Sequence, residues 1–212
     1  MPGKFITIEG GEGVGKSSNI DFILSYLGKK NIDVVSTREP GGTQLGEKIR
    51  ALLLDAKNNA MVSDTELLLM FAARAQHLDE LIKPSLENNQ WVLCDRFTDA
   101  TYAYQGGGRG ISMRRIAELE SWVQGSLRPD LTILLDLPVE IGMKRASDRS
   151  DPDRIEQEKN DFFESVRATY LSMAKASPQR FRVIDASLPL ETVQKNIGMV
   201  LSEYLSSIEN AN

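Results

Sequence analysis

At 212 residues, 41% hydrophobic and 26% charged, the chain is long enough for one α/β domain with a substantial core and too short for two full ones. A formal net charge of −5 argues against a nucleic-acid surface, which would be basic. The single cysteine, Cys94, excludes an internal disulfide, and no apolar run approaches the length of a membrane span, so a cytoplasmic protein with neither nucleic acid nor membrane as partner is expected.

The first predicted element is a strand from Phe5 to Glu9. It runs straight into Gly10-Gly11-Glu12-Gly13-Val14-Gly15-Lys16-Ser17-Ser18, ahead of an amphipathic helix. Gly10 to Ser17 fits G-x-x-x-x-G-K-S, a nest of backbone N–H groups for the phosphates of a nucleoside triphosphate. Lys16 would reach the outer phosphates, and the Ser17 hydroxyl is placed for Mg²⁺. A glycine-rich turn alone would explain the glycines but not Lys16 beside Ser17. Glu12 cannot face the triphosphate without strong repulsion at short range. It is either an exposed loop acid or an acceptor for a hydroxyl on a second substrate, such as a sugar.

A second strand is predicted over Asp33 to Thr37, ending in TREPGGT, which puts Arg38 at the carboxyl edge of the sheet beside the phosphate loop. Its guanidinium either grips an acceptor phosphate bidentately or makes a surface ion pair. Leu45, Ile49, Leu52 and Leu53 after Thr43 signal a helix. Ser63-Asp64-Thr65-Glu66 reads as a capping box opening another through LLLMFAAR, in which Phe71 by itself reads as core. The third strand, Trp91 to Asp95, delivers Asp95 either to Mg²⁺ opposite Ser17 or to a helix cap, and Arg96 to the same acceptor phosphate as Arg38. Strands follow over Leu131 to Leu137 and Phe181 to Asp185. Between them lie the charged, exposed stretch SDRSDPDR, residues 147 to 154, and a core stripe of Phe162, Phe163, Val166, Tyr170 and Met173.

Five β-rich runs alternating with helical segments imply an α/β chain on a parallel sheet covered on both faces. Glu9, Asp95, Asp136 and Asp185 end or adjoin four of these runs. Ligands gather at the carboxyl ends of strands in such sheets, so function is expected there.

EGGEGVGKSS, TREPGGT, MFAAR, CDRFTDATYAYQGGGRG and DRIEQE occur in this order over almost the whole chain, and the ordered set resembles the thymidylate kinase family of bacterial type. The resemblance implies a single domain over residues 1 to 212 with the three-layer P-loop nucleoside monophosphate kinase fold, a five-stranded parallel sheet flanked by helices. It implies phosphoryl transfer from ATP-Mg²⁺ to dTMP, giving dTDP, and a homodimer. By the same resemblance Glu12 bonds the deoxyribose 3′-hydroxyl, Arg38 and Arg96 hold the dTMP phosphate, Phe71 stacks on thymine and Arg74 reaches a base oxygen. Thr101 and Gln105, four apart on the next helix, become polar base contacts, and Tyr104 crowds the 2′ position. Val14 leaves the phosphate loop without an arginine, so the match is to the subtype whose lid, here about residues 145 to 156, supplies Arg149 and Arg154. Arg145 stays open between lid and solvated loop. Phe97, Thr98 and Tyr102 depart from the family pattern on the base side. A kinase for another nucleoside monophosphate is the alternative; a GTP-dependent switch would carry an N-K-x-D segment, which this chain lacks.

Overall fold

Each apolar run becomes a strand because alternate side chains can be buried on opposite faces of one sheet. The computed structural model describes residues 2–148 and 152–210. In it β1 (Phe5–Glu9), β2 (Val34–Arg38), β3 (Trp91–Asp95), β4 (Leu131–Asp136) and β5 (Phe181–Asp185) form a parallel sheet in the order β2-β3-β1-β4-β5. The second strand lies one residue later than the sequence suggests, which draws Arg38 into the sheet opposite Asp95. β4 stops at Asp136, because Leu137 precedes Pro138 and its backbone begins the turn to the next helix.

The helices are α1 (Lys16–Gly28), α2 (Gln44–Leu54), α3 (Ser63–His77), α4 (Lys83–Glu87), α5 (Thr98–Thr101), α6 (Met113–Gln124), α7 (Val139–Ser147), α8 (Asn160–Ala176) and α9 (Leu190–Glu209). In β4, Ile133 and Leu135 join Ile6, Ile8, Ile23, Leu27, Ile197 and Leu201 in the layer under α1 and α9. Leu134 points the other way, into Phe163, Val166 and Tyr170 of α8. The sheet is thus covered on both faces, as the alternation of elements requires. Among the described residues no helix is long and apolar enough to cross a membrane.

Two local expectations are not met. α3 has no side-chain cap: Val62 occupies the cap position and Glu66, instead of reaching back to the helix start, turns inward to a cluster of side-chain donors. Beyond Thr101 the chain widens into a π-helix over Tyr102–Gly108 rather than continuing as α-helix. This turn lies flush on α8, since a β-carbon at Gly107 would fall 2.2 Å from Thr169 Oγ1. The predicted α2 stripe is only partly used: Leu53 is buried, whereas Leu45 and Leu52 are exposed.

Candidate active site

The loop from Gly10 to Gly15 can wrap tightly only because side chains are missing where backbones approach. Gly13 has φ +66°, and a β-carbon there would sit 1.9 Å from the Gly142 carbonyl oxygen. The loop delivers Lys16 and Ser17 to the first turn of α1, where free backbone N–H groups and the helix dipole favour an anion. Lys16 Nζ folds back to donate to the Gly11 carbonyl at 3.1 Å. Burial, reinforced by the nearby Arg96 charge, lowers the Lys16 pKa.

A cavity of about 270 Å³ opens from this loop across the carboxyl ends of β1, β2 and β3. Its loop end is ringed by cations: Lys16, Arg38, Arg50 and Arg96. Arg96, in the left-handed region at φ 65°, bonds through Nη2 to Glu12 Oε1 and the Tyr104 hydroxyl, each at 2.7 Å. Tyr104 donates in turn to Glu12 at 2.8 Å. Burial pushes the Glu12 carboxyl up, but Arg96 and Lys16 outweigh it and hold the pKa at about 2. Arg50 donates to the Pro40 carbonyl at 2.8 Å; burial and then the like charges of Arg38 and Arg96 lower its pKa, a sign that this corner is short of negative charge. Arg38 is half-exposed and rests on Glu47 Oε2 at 2.8 Å. Asp95 lines the same end, and its Oδ1 is buried without a hydrogen-bond partner. With the Ser17 hydroxyl at the rim, this pair could hold a divalent cation.

At the far end of the cavity the polar groups are fixed by one another. Arg74 donates through Nε to Glu39 Oε2 at 2.7 Å and through Nη2 to Thr101 Oγ1 at 2.9 Å; its third nitrogen, Nη1, is buried with no partner. Glu39 is held from behind by His77 Nδ1 at 3.0 Å, whose Nε2 lies 2.7 Å from Thr37 Oγ1. The Arg74 guanidinium lies over the rings of Phe71, at 4.8 Å, and Phe97, at 5.1 Å. Gln105 donates its amide N–H to Glu66 Oε1 at 2.8 Å, so that the NH₂ end of the amide is engaged away from the phosphate loop. Leu54, Met70, Phe97 and Ala100 complete the wall.

A sequence model of the thymidylate kinase family matches residues 8–197. The chain belongs to the thymidylate kinase family. Thymidylate kinases of Pseudomonas savastanoi pv. phaseolicola and Ectopseudomonas mendocina are 58% and 57% identical over 205 and 207 residues, spanning 97% and 98% of this chain and 98% and 99% of those proteins. The crystal structure of thymidylate kinase from Ehrlichia chaffeensis superposes with a TM-score of 0.78 at 34% identity, over 95% of this chain and 100% of that one.

Of the positions that the phosphate-loop motif, the strand ends and resemblance to thymidylate kinases single out, Glu12, Gly13, Val14, Gly15, Lys16, Ser17, Arg38, Arg74, Asp95, Arg96, Thr101, Tyr104 and Gln105 line one cavity. Gly10 and Gly11 lie behind the loop, against Leu135 and Asp136, and Ser18 is exposed on α1. Phe71 does not face the cavity: it is buried with Leu67, Ile111 and Ile116, supporting Arg74 from beneath, while Met70, one residue earlier on the helix, lines the wall. Arg154 does not project from an exposed loop. Its Nε donates to the Leu53 carbonyl at 2.7 Å and its Nη2 to Glu66 at 2.6 Å, so the C-terminal carbonyls of α2 and a buried carboxylate hold it. Arg149 lies outside the described residues. Sequence reasoning missed Glu39, Arg50, Met70, Asp153 and Glu156, all of which line the cavity. Arg50 carried a signal, because it falls three residues after Glu47 on α2 and so shares the face of that helix bearing Arg38's partner.

Proposed function

We propose that dTMP enters this cavity with its phosphate among Arg38, Arg50 and Arg96 and its base against Arg74 and Gln105, beside ATP on the phosphate loop. The family phosphorylates dTMP, and this member is a nucleoside monophosphate kinase. The observation that carries the orientation is the Arg74 Nη1 donor, buried without a partner, on the same cavity as Gln105, whose NH₂ end is taken by Glu66 so that Oε1 is its remaining acceptor. Thymine offers an O4 acceptor next to an N3–H donor, whereas cytosine offers a donor next to an acceptor, so the pair fits thymine and opposes cytosine.

Little covalent chemistry is asked of the chain. An oxygen of the dTMP phosphate, already anionic, attacks the γ-phosphorus of ATP; that P–O bond forms as the bond to the β–γ bridging oxygen breaks, and ADP leaves. Lys16 and Arg96 sit where charge accumulates, and Arg38 exchanges its exposed contact with Glu47 for the acceptor phosphate. Glu12, ionised by its neighbours, accepts from the sugar 3′-hydroxyl while keeping Tyr104 against the 2′ position. Mg²⁺, which Ser17 and Asp95 would hold, would supply charge neutralisation on the triphosphate.

The same reading makes the protein a cytoplasmic homodimer. Adjacent helices α2, α3 and α6 leave Leu45, Leu52, Leu68 and Trp122 exposed, the last at 82%, and a second copy would cover them.

A coupled assay of ADP release with dTMP, dUMP, dCMP and dGMP tests the orientation. Catalytic efficiency on dTMP is expected to exceed that on dCMP and dGMP by at least about 10²-fold, because a site built to hydrogen-bond one edge leaves its groups unpaired against another. Comparable efficiencies on all four would overturn it.

A further inference from the structure

Glu66 belongs to neither the phosphate loop nor the cavity lining, yet it is 1% exposed and fully engaged. Its Oε1 accepts from Gln105 Nε2 at 2.8 Å and Arg109 Nε at 3.2 Å; its Oε2 accepts from Arg154 Nη2 at 2.6 Å and Arg109 Nη2 at 3.1 Å. These donors fill the positions a carboxylate has to offer. Burial raises the carboxyl pKa, but the hydrogen bonds from Arg109 and Gln105 prevail and keep it below the ordinary value, so Glu66 is a charged acceptor at neutral pH.

An amide side chain has two nearly equivalent orientations, and which one is adopted depends on what it faces. Against a carboxylate only the NH₂ end is allowed, since the flipped amide would set oxygen against oxygen at hydrogen-bond distance in a buried site. The NH₂ group of Gln105 is therefore taken by Glu66, and Oε1 is left as the end available to the cavity. Were the amide free to flip, its NH₂ would enter the cavity beside the Arg74 donor and would suit the bare N3 acceptor of cytosine.

We infer that Glu66 is a positioning residue for base selection: by fixing the polarity of the Gln105 amide it makes the site accept an N3–H pyrimidine and reject cytosine. The inference rests on the reading of Arg74 and Gln105 as base contacts. The arginines have a separate part, since Arg109 and Arg154 neutralise the buried carboxylate while Arg109 also pairs with Glu158.

Steady-state kinetics of Glu66→Gln and Gln105→Leu on dTMP, dUMP and dCMP provide the test. A glutamine at 66 can receive either end of the Gln105 amide. The dCMP:dTMP ratio of kcat/KM is thus expected to rise about fivefold or more in Glu66→Gln, the loss of one discriminating hydrogen bond, with the dUMP:dTMP ratio unchanged because uracil presents the same O4 and N3–H edge as thymine. A merely structural role would lower all three substrates in step, and that result overturns the inference. If Gln105→Leu raises the ratio and folded Glu66→Gln does not, Glu66 alone loses its role; if Gln105→Leu leaves the ratio unchanged, the base-contact reading fails first. A measurement on the unaltered protein decides the matter even if Glu66→Gln does not fold. The ¹⁵N side-chain amide signal of Gln105, identified by its loss in Gln105→Leu, should show NH₂ protons protected from solvent exchange both without and with dTMP. Rapid exchange without ligand would mean that Glu66 does not hold the amide.

Discussion

The Glu12 carboxylate and the Arg96 guanidinium, 84 residues apart in sequence, meet at 2.7 Å and share the Tyr104 hydroxyl between them. The Glu12 carboxylate is thereby turned toward Arg96 and Tyr104 and kept ionised, which reconciles a carboxylate with the triphosphate site proposed for this loop.

Glu12→Gln is expected to weaken recognition of the sugar. Loss of a charged acceptor for the 3′-hydroxyl should cost about 1.5–3 kcal/mol, so the preference for dTMP over its 3′-deoxy analogue should fall by about tenfold or more. A preference equal to that of the unaltered enzyme would remove Glu12 from this role. Stability carries a second signature. The folded-state pKa of about 2 lies below the unbound value of 4.5, so the ionised group favours the folded state above pH 4.5 and that contribution disappears as pH falls toward 2. The gap in denaturation free energy between the two proteins should narrow over that window.

Glu9 behaves in the opposite sense. It ends β1 beneath the loop, bonded to Phe97 N–H at 2.7 Å and the Tyr170 hydroxyl at 2.8 Å; burial, then the Asp99 charge, raises its pKa from 4.5 to about 8. Between those values the folded state keeps a proton that the unfolded state has lost, so stability declines as pH rises from 4.5 toward 8, by at most about 1.4 kcal/mol per pH unit. Glu9→Gln should flatten this slope and gain on the parent at pH 8. Chemical denaturation at pH 5, 6.5 and 8 checks it; parallel slopes for both proteins would show that Glu9 does not bind the proton.

Strand-end positions were legible in the sequence because sheet register carries them: once β1, β2 and β3 lie side by side, Lys16, Arg38, Asp95 and Arg96 have one place to go. Helix faces were less legible. Met70 and Phe71 stand four and three residues before Arg74, both compatible with one face of a helix, and the choice falls to long-range packing of Phe71 on Ile111 and Ile116. Glu66 shows the same limit more sharply. Its sequence neighbours spell a capping box, but its partners lie 39, 43 and 88 residues away, and no local pattern announces them.

The exposed apolar face has a direct test. Leu68→Glu combined with Trp122→Glu places charge on the part of α3 and α6 proposed to meet a second copy. Sedimentation should show a dimer for the parent and a monomer for the double variant. A parent that sediments as a monomer at micromolar concentration, or a double variant that stays dimeric, would place the interface elsewhere or abolish it.

The two arginines that family resemblance assigns to a lid should separate by readout. Arg154 is buried between the end of α2 and Glu66, so Arg154→Ala removes a buried partner; Arg109 and Gln105 still hold the carboxylate, and the loss should be about 1–3 kcal/mol of stability, below that of a fully orphaned buried charge. Arg149 is the other guanidinium that resemblance to the lid-arginine subtype assigns to transfer, in a chain whose phosphate loop has Val14 where an arginine would serve. If it meets the charge developing on the transferred group, Arg149→Ala should lower kcat at least about tenfold, with equilibrium ATP binding changed far less and thermal unfolding unchanged. Single-turnover transfer rates and melting curves on both variants distinguish anchor from transition-state donor. A destabilised Arg154→Ala with near-normal transfer when folded, beside a stable but slow Arg149→Ala, is the expected pattern. The reverse pattern would mean that Arg154 leaves Glu66 during turnover and that its buried pair is a resting position, not an anchor.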